Sequence, residues 1–144
     1  MIDLLDAGES LPFDPAGQIL YYMGPTPAKP GQPIGSAGPT TSGRVDSYTP
    51  RLLALGIKAT VGKGYRSAAV RAAMQQHKAV YLAAIGGAGA LISQSIVMRE
   101  VVAWPELGTE ALQRLTVENF VCFVANDAHG GDLYEEGKVR FAAE

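Results

Sequence analysis

At 144 residues, with 47% hydrophobic and 18% charged side chains, the chain has the size and composition of one ordinary globular domain. Twelve Lys and Arg against fourteen Asp and Glu give a net charge of -2 with no clustered basic face, which excludes an electrostatic footprint for nucleic acid. No apolar run approaches the roughly 20 residues of a membrane span, because "AVYLAAIGGAGALI" is broken by glycines, and the acidic "MIDLLDAGESL" lacks the pattern of a signal peptide. The expectation is a soluble, cytoplasmic protein whose partners are neither membrane nor nucleic acid.

In chain order, "MIDLLDAG" predicts a short helix stopped at Gly8, and "QILYYMG" a strand ended by Gly24 and Pro25. Residues 24–38 then carry Pro25, Pro27, Pro30 and Pro33 among glycines, a composition that predicts a long ordered loop packed at a site. Residues 42–56 read as helix, kinked by Pro50 or restarted there with Thr49 as N-cap. "IKATVG" is a strand, "SAAVRAAMQQH" a helix capped by Ser67, and "AVYLAAIG" a buried strand. "GAGALISQSI" predicts a small-residue helix or turn, "EVVAW" a short strand, "TEALQRL" a helical turn, and "NFVCFVAND" a last core strand before the turn "DAHGGD". This alternation describes an α/β fold, taken as a single domain over residues 1–144.

Chemistry concentrates in "GSAGPTTSGRVDSY", residues 35–48. A helix starting near Thr40 or Thr41 would point free backbone N–H groups at an anion, with the hydroxyls of Thr40, Thr41 and Ser42 beside them. Arg44 adds a planar fork matched to carboxylate or phosphate. The competing structural account is a plain N-cap with Arg44 in a surface ion pair. In "VGKGYRS" Lys63 stands at the carboxyl end of a strand, the ligand edge of an α/β sheet, as a second cation for the same pocket. A phosphate-binding P-loop is excluded, since Gly56 to Gly62 has one residue too many and Gly64 replaces the required hydroxyl.

Other candidates are weaker. The glycine-rich "AIGGAGALI" lacks a dinucleotide fingerprint and suggests close backbone packing. Glu106, beside Trp104 and Pro105, is a candidate acid/base that orients other groups. His77 and His129 lack partners at metal-ligand spacing and read as surface residues. The single cysteine, Cys122 in "FVCFVA", reads as an inert packed thiol, and one cysteine rules out a cysteine-based metal cluster built from this chain alone.

The ordered set "YYMGPTP", "GPTTSGRVDSY", "VGKGYR", "AIGGAGAL", "VAWPELGTEAL" and "NDAHGGDL", from about residue 4 to residue 134, resembles the β region of the iron-sulfur-dependent hydro-lyases, the class I fumarate hydratases and L-tartrate dehydratases. The resemblance implies a swivelling β/β/α domain with a mixed sheet and flanking helices, present either as the C-terminal part of a fumarase or as a separate β subunit. It implies a [4Fe-4S] cluster held by cysteines of the partner α domain or subunit, one iron being open as a Lewis acid. The reaction implied is reversible hydration of fumarate to L-malate, by an enzyme that is inactive without the α part and assembles as a homo-oligomer.

Carried over by motif, Thr40, Arg44 and Lys63 match active-site positions of the family, and the Thr41 hydroxyl joins them as a substrate-binding candidate from the anion-pocket reading. Arg44 and Lys63 would hold the substrate carboxylates, Thr40 would sit near the proton removed from carbon as base or relay, and Asp46 and Arg66 would orient them. Two departures qualify the match. The family's first strand and its Arg-Asp-x-x-His segment precede "LLDAG" and are missing here, so an N-terminally truncated chain is expected. "SGRVDSY", with Gly43, is closer to the fumarase form than to the tartrate form. The alternatives are an L-tartrate or other dicarboxylate dehydratase β subunit, and a non-catalytic carboxylate-binding module.

Overall fold

A computed structural model of the chain describes residues 1–142. In chain order its elements are α1 (Ile2–Asp6), β1 (Ile19–Tyr21), α2 (Thr49–Ala54), β2 (Ala59–Gly62), α3 (Ala68–His77), β3 (Val80–Ala83), α4 (Gly89–Ile92), β4 (Ile96–Ala103), β5 (Leu112–Val117), β6 (Phe123–Asn126) and α5 (Leu133–Phe141). They form two compact units. One takes Met1–Asp14, Met23–Thr40 and Ile85–Val121; the other takes Pro15–Tyr22, Thr41–Ala84 and the residues from Cys122 onward.

The second unit is built on a mixed sheet in the order β1-β2-β3-β6. β1, β2 and β3 run parallel, with Leu20 opposite Thr60 and Thr60 opposite Tyr81, and β6 closes the sheet antiparallel with Asn126 opposite Tyr81. β2 is buried along its whole length, as a central parallel strand covered on both faces must be. Helices α2 and α3 pack together beside the sheet and bring Leu52, Leu53, Val70, Ala73 and Met74 into the core with Ile57, Val61 and Tyr81. In α3 the buried Val70, Ala73 and Met74 fall at helical spacing, and the Ser67 hydroxyl accepts the Val70 N–H at 3.4 Å as N-cap.

The first unit has a thinner core. Ile34 and Ala37 of the proline-rich segment pack with Ile96, flanked by Met23 and Leu115. The segment folds back on itself, the Thr26 N–H donating to the Ser36 carbonyl at 3.0 Å and the Ser36 N–H to the Thr26 hydroxyl at 2.8 Å. Pro25, Ile34 and Ala37 are buried, while residues 26–32 are exposed. β4 and β5 form an antiparallel ribbon with Arg99 opposite Leu115 and Val101 opposite Gln113. The glycine-rich turn packs closely too: a Cβ on Gly89 would collide with the Ser36 hydroxyl and come within 2.8 Å of the Gly38 nitrogen, and the Ala37 N–H donates to the Gly89 carbonyl at 3.0 Å.

Four sequence expectations are corrected. Residues 42–56 are not one helix but a 3₁₀ turn, Ser42–Val45, followed by α2, whose N-cap is Tyr48 and whose first residue is Thr49. Thr49 does not cap because its hydroxyl donates to the Val45 carbonyl at 3.0 Å. "TEALQRL" is not a helical turn: the 3₁₀ segment Pro105–Glu110 runs into β5, and ladder pairing with β4 overrides its helix-forming composition. The short strand "EVVAW" is the end of the eight-residue β4. Beyond the last predicted strand lies α5, N-capped by Asp132, whose carboxylate accepts the Tyr134 and Glu135 N–H groups. No helix among the described residues is long and apolar enough to cross a membrane.

α3 ends at Lys78, a non-glycine residue in the left-handed region at φ 54. An L side chain there costs roughly 1–2 kcal/mol, and glycine loses about 0.5–1 kcal/mol more chain entropy than alanine. Lys78→Gly is accordingly expected to stabilise the fold by up to about 1 kcal/mol in urea denaturation; a loss of stability would show that the lysine side chain outweighs the strain.

Candidate functional site

The second unit encloses an unusually polar interior. Ser42, Thr49, Thr60, Arg66 and Asn126 are all buried, and Arg66 joins Thr49 and Thr60. The Arg66 side chain is 0% exposed; its Nε donates to Asp46 at 2.7 Å, its Nη1 to the Thr60 hydroxyl at 2.9 Å and its Nη2 to the Thr49 hydroxyl at 2.8 Å. The guanidinium also lies over the rings of Tyr81 at 4.9 Å and Tyr22 at 5.5 Å. The other Asp46 oxygen accepts the Ser67 N–H at the start of α3. One cation thus ties the segment 46–49, strand β2 and the β2–α3 turn into one body.

That body carries the predicted cations. Thr41 bridges Lys63 in parallel register, and the Ser42 N–H donates to the Lys63 carbonyl at 2.9 Å. The Ser42 hydroxyl is hydrogen-bonded to the Tyr81 hydroxyl at 3.1 Å, which pins the 3₁₀ turn to the sheet. Arg44 projects from this turn, exposed, and Lys63 directly follows β2, half-buried; neither side chain has a hydrogen-bond or ion-pair partner among the described residues. The expected helix start is corrected here. The turn is four residues long and the Ser42 N–H is already committed to the Lys63 carbonyl, so it presents no helix dipole of the kind expected; Arg44, Lys63 and the exposed Thr41 hydroxyl are the polar groups that stand at its surface.

Thr40, half-buried, is the last residue of its segment in the first unit, and Glu106 lies exposed in that unit's 3₁₀ segment. The second unit brings together Thr41, Arg44, Asp46, Lys63 and Arg66. Sequence reasoning gave Ser42 and Thr49 other roles, as an anion donor and a helix cap, and missed Thr60 and Tyr81, because hydroxyls in strand-forming stretches give no signal before their partners are known. It also missed Asn126, whose amide nitrogen and oxygen are buried with no hydrogen-bond partner among the described residues. A register shift beside Asn126 marks a β-bulge, and the motif "NDAHGGD" was its only trace in the sequence.

Burial pushes the Tyr81 hydroxyl up to about 12, with the Ser42 hydrogen bond acting in the opposite direction, and burial pushes Tyr21 up as well. In the turn after β6, the backbone N–H groups of His129 and Gly131 hold the Asp127 carboxyl below its usual range. Burial works against the Asp132 charge, but the hydrogen bond from Arg71 and the N–H groups of Glu135 and Tyr134 outweigh it and lower its value.

The donor chemistry does not fit an iron-sulfur cluster held by this chain. Such clusters are bound by several cysteine thiolates, whereas burial raises the value of the single, half-buried Cys122 thiol and favours its protonated form. Among the described residues no group of three or more His, Cys, Asp or Glu stands close enough to hold a metal ion.

A family model described as "Fumarase C-terminus" matches residues 1–137. The chain belongs to the fumarase C-terminus family. Over 136 residues this family member is 42% identical to the anaerobic class I fumarate hydratase of Escherichia coli (strain K12), covering 93% of this chain and 25% of that protein. It is 39% identical over 136 residues to fumarate hydratase 2 of Leishmania major, covering 93% of this chain and 24% of that protein. It is 38% identical over 142 residues to the putative L(+)-tartrate dehydratase subunit beta of Methanocaldococcus jannaschii, covering 94% and 73%. This fumarase C-terminus chain therefore spans about a quarter of the length of the fumarases it matches.

Two measurements test the polar interior of this fumarase C-terminus chain. Arg66→Met leaves the Asp46 carboxylate, only 13% exposed, without its cation and is expected to cost about 3–5 kcal/mol in equilibrium urea unfolding; a change below about 1 kcal/mol would refute the network's central role. Tyr81 holds its proton more tightly folded than unfolded, so stability is complete below about pH 10 and falls as pH climbs toward about 12. Tyr81→Phe should make that alkaline decline shallower in pH-dependent unfolding, while lowering stability at neutral pH by about 1 kcal/mol through the lost Ser42 hydrogen bond. An unchanged slope would place the alkaline titration elsewhere.

Proposed function

We propose that the chain is the β part of an iron-sulfur hydro-lyase that reversibly hydrates fumarate to L-malate, folded as a swivelling β/β/α domain and active only with an α domain or subunit that carries the [4Fe-4S] cluster. The observation that carries this reading is the pair of uncommitted cations, Arg44 and Lys63, held to one strand end by the Thr41–Lys63 bridge and braced from below by Arg66 and Asp46. Two cations on a fixed backbone suit the two carboxylates of a small dicarboxylate.

In this reading Arg44 grips one carboxylate through its fork and Lys63 meets the other as a point charge. In the dehydration direction a C–H bond next to a carboxylate breaks, its electron pair forms the double bond, and the hydroxyl group departs with a proton as water. Negative charge flows into the adjacent carboxylate as the proton leaves, so cations set there in advance lower the barrier. Thr41 adds a hydroxyl donor to the substrate, and Thr40 holds or relays the proton at carbon. A threonine hydroxyl is a weak base alone, so that role needs the cations nearby.

A second reading, an L-tartrate dehydratase β subunit, is supported by the relative in which a β subunit is a separate chain matched over 73% of its length. The assembled αβ enzyme, prepared anaerobically and offered fumarate, L-malate and L-tartrate, separates the two. Turnover of fumarate and L-malate alone is expected, and turnover of L-tartrate alone would replace the leading reading by the second. Hydration of fumarate by this chain without iron or partner would refute the two-part enzyme, and fumarate binding with no assembly on an α part would leave a carboxylate-binding module. In the assembled enzyme Arg44→Lys is expected to raise KM and to lower kcat/KM by about 10- to 100-fold, through loss of a charge-assisted bidentate contact. Unchanged kinetics would remove Arg44 from the site.

A further inference from the structure

The first unit contains a groove that the hydro-lyase reading does not use. Its volume is about 340 Å³, and it lies between the proline segment at Pro25–Ala28 and the β4–β5 ribbon, with the Pro105–Ala111 stretch at one side. Ligand pockets of roughly this size take small molecules. Its walls are stiff and largely apolar, supplied by Pro25, Pro27, Val101, Pro105 and Ala111.

Among the described residues Arg99 is the one charged residue lining it. Arg99 Nε donates to Gln113 Oε1 at 2.9 Å, a cross-ribbon brace that fixes the guanidinium plane, and Nη1 and Nη2 have no partner among the described residues. The next residue along, Glu100, is engaged by Arg114 at 3.1 Å and does not line the groove. Thr26 and Thr109 line it as hydroxyl donors, the Thr26 oxygen already accepting the Ser36 N–H at 2.8 Å but keeping its own proton. Glu106 and Glu110 belong to the neighbouring 3₁₀ segment without lining the groove, and their charges oppose a multiply charged anion.

We infer that this groove is a binding site for a small monocarboxylate with a short apolar tail, the carboxylate seated on the two free Arg99 nitrogens and the tail against the prolines. One braced cation suits a single negative charge better than a phosphate dianion, and a bidentate guanidinium suits the planar carboxylate. The apolar walls exclude a second carboxylate, which separates this site from the dicarboxylate pair Arg44 and Lys63. The inference does not rest on the hydro-lyase reading.

Titration of the full chain with butyrate, followed residue by residue in proton–nitrogen correlation spectra, tests it. Saturable shifts are expected at residues 26–28, 99–101 and 111–113, with a roughly millimolar Kd for so small a ligand. Butylamine, with a similar tail and opposite charge, should shift none of them. Arg99→Gln should weaken butyrate binding at least about 10-fold, Arg99→Lys should weaken it less, and Arg44→Lys should leave it unchanged. Spectra that match the parent chain away from the groove establish that each variant is folded. Absence of saturation, equal binding by Arg99→Gln, or tighter binding of inorganic phosphate than of butyrate would each overturn the assignment.

Discussion

The second unit depends on one buried cation. Arg66 is surrounded by Asp46, Thr49 and Thr60 and sandwiched by Tyr22 and Tyr81, so every one of these groups is placed where the guanidinium needs it. Removing a charge from water costs several kcal/mol, and only a full set of hydrogen bonds with a carboxylate offsets it. That requirement is stringent geometrically: a planar fork accepts partners in few directions. The arrangement therefore defines one conformation of the segment 46–49 against β2, where an apolar contact would have tolerated several.

Rigidity at Arg66 is passed on to the surface. Asp46 follows the 3₁₀ turn that carries Arg44, and the same turn is held at its start by the Ser42 contacts to Lys63 and Tyr81. Arg44 and Lys63 thus stand on backbone fixed at both ends, though their own side chains are unengaged. Preorganised cations of this kind favour a ligand because little conformational freedom is lost when it binds. Asp46 and Arg66 are linked to Arg44 and Lys63 only through this backbone, so what they fix is position.

The first unit follows a different logic. Its core is small, with Ile34, Ala37 and Ile96 at the centre, and its order comes from backbone contacts of the proline-rich segment with itself and with Gly89. Prolines limit the freedom the chain loses on folding, which lets a loop stay ordered with few buried side chains. The same stiffness gives the Arg99 groove its fixed walls.

Much of this was legible beforehand because it is local. Periodicity and caps marked α3, continuous apolar character marked β3, and the order of several short motifs marked the family that the comparisons then showed. Local pattern failed where pairing decided the outcome. "TEALQRL" has helix-forming residues yet lies across from β4, and Thr49 looks like a cap yet serves Val45 and Arg66. The sequence by itself determined which residues carry charge and hydroxyl chemistry and that Arg44 and Lys63 follow a loop and a strand end. Only the tertiary structure decided that Arg66 is an interior support and that, among the described residues, Arg44 and Lys63 remain uncommitted and Asn126 is buried without a partner. The physical reason is that a charged or polar side chain takes its role from the partners within hydrogen-bonding distance, and those partners come from distant parts of the chain.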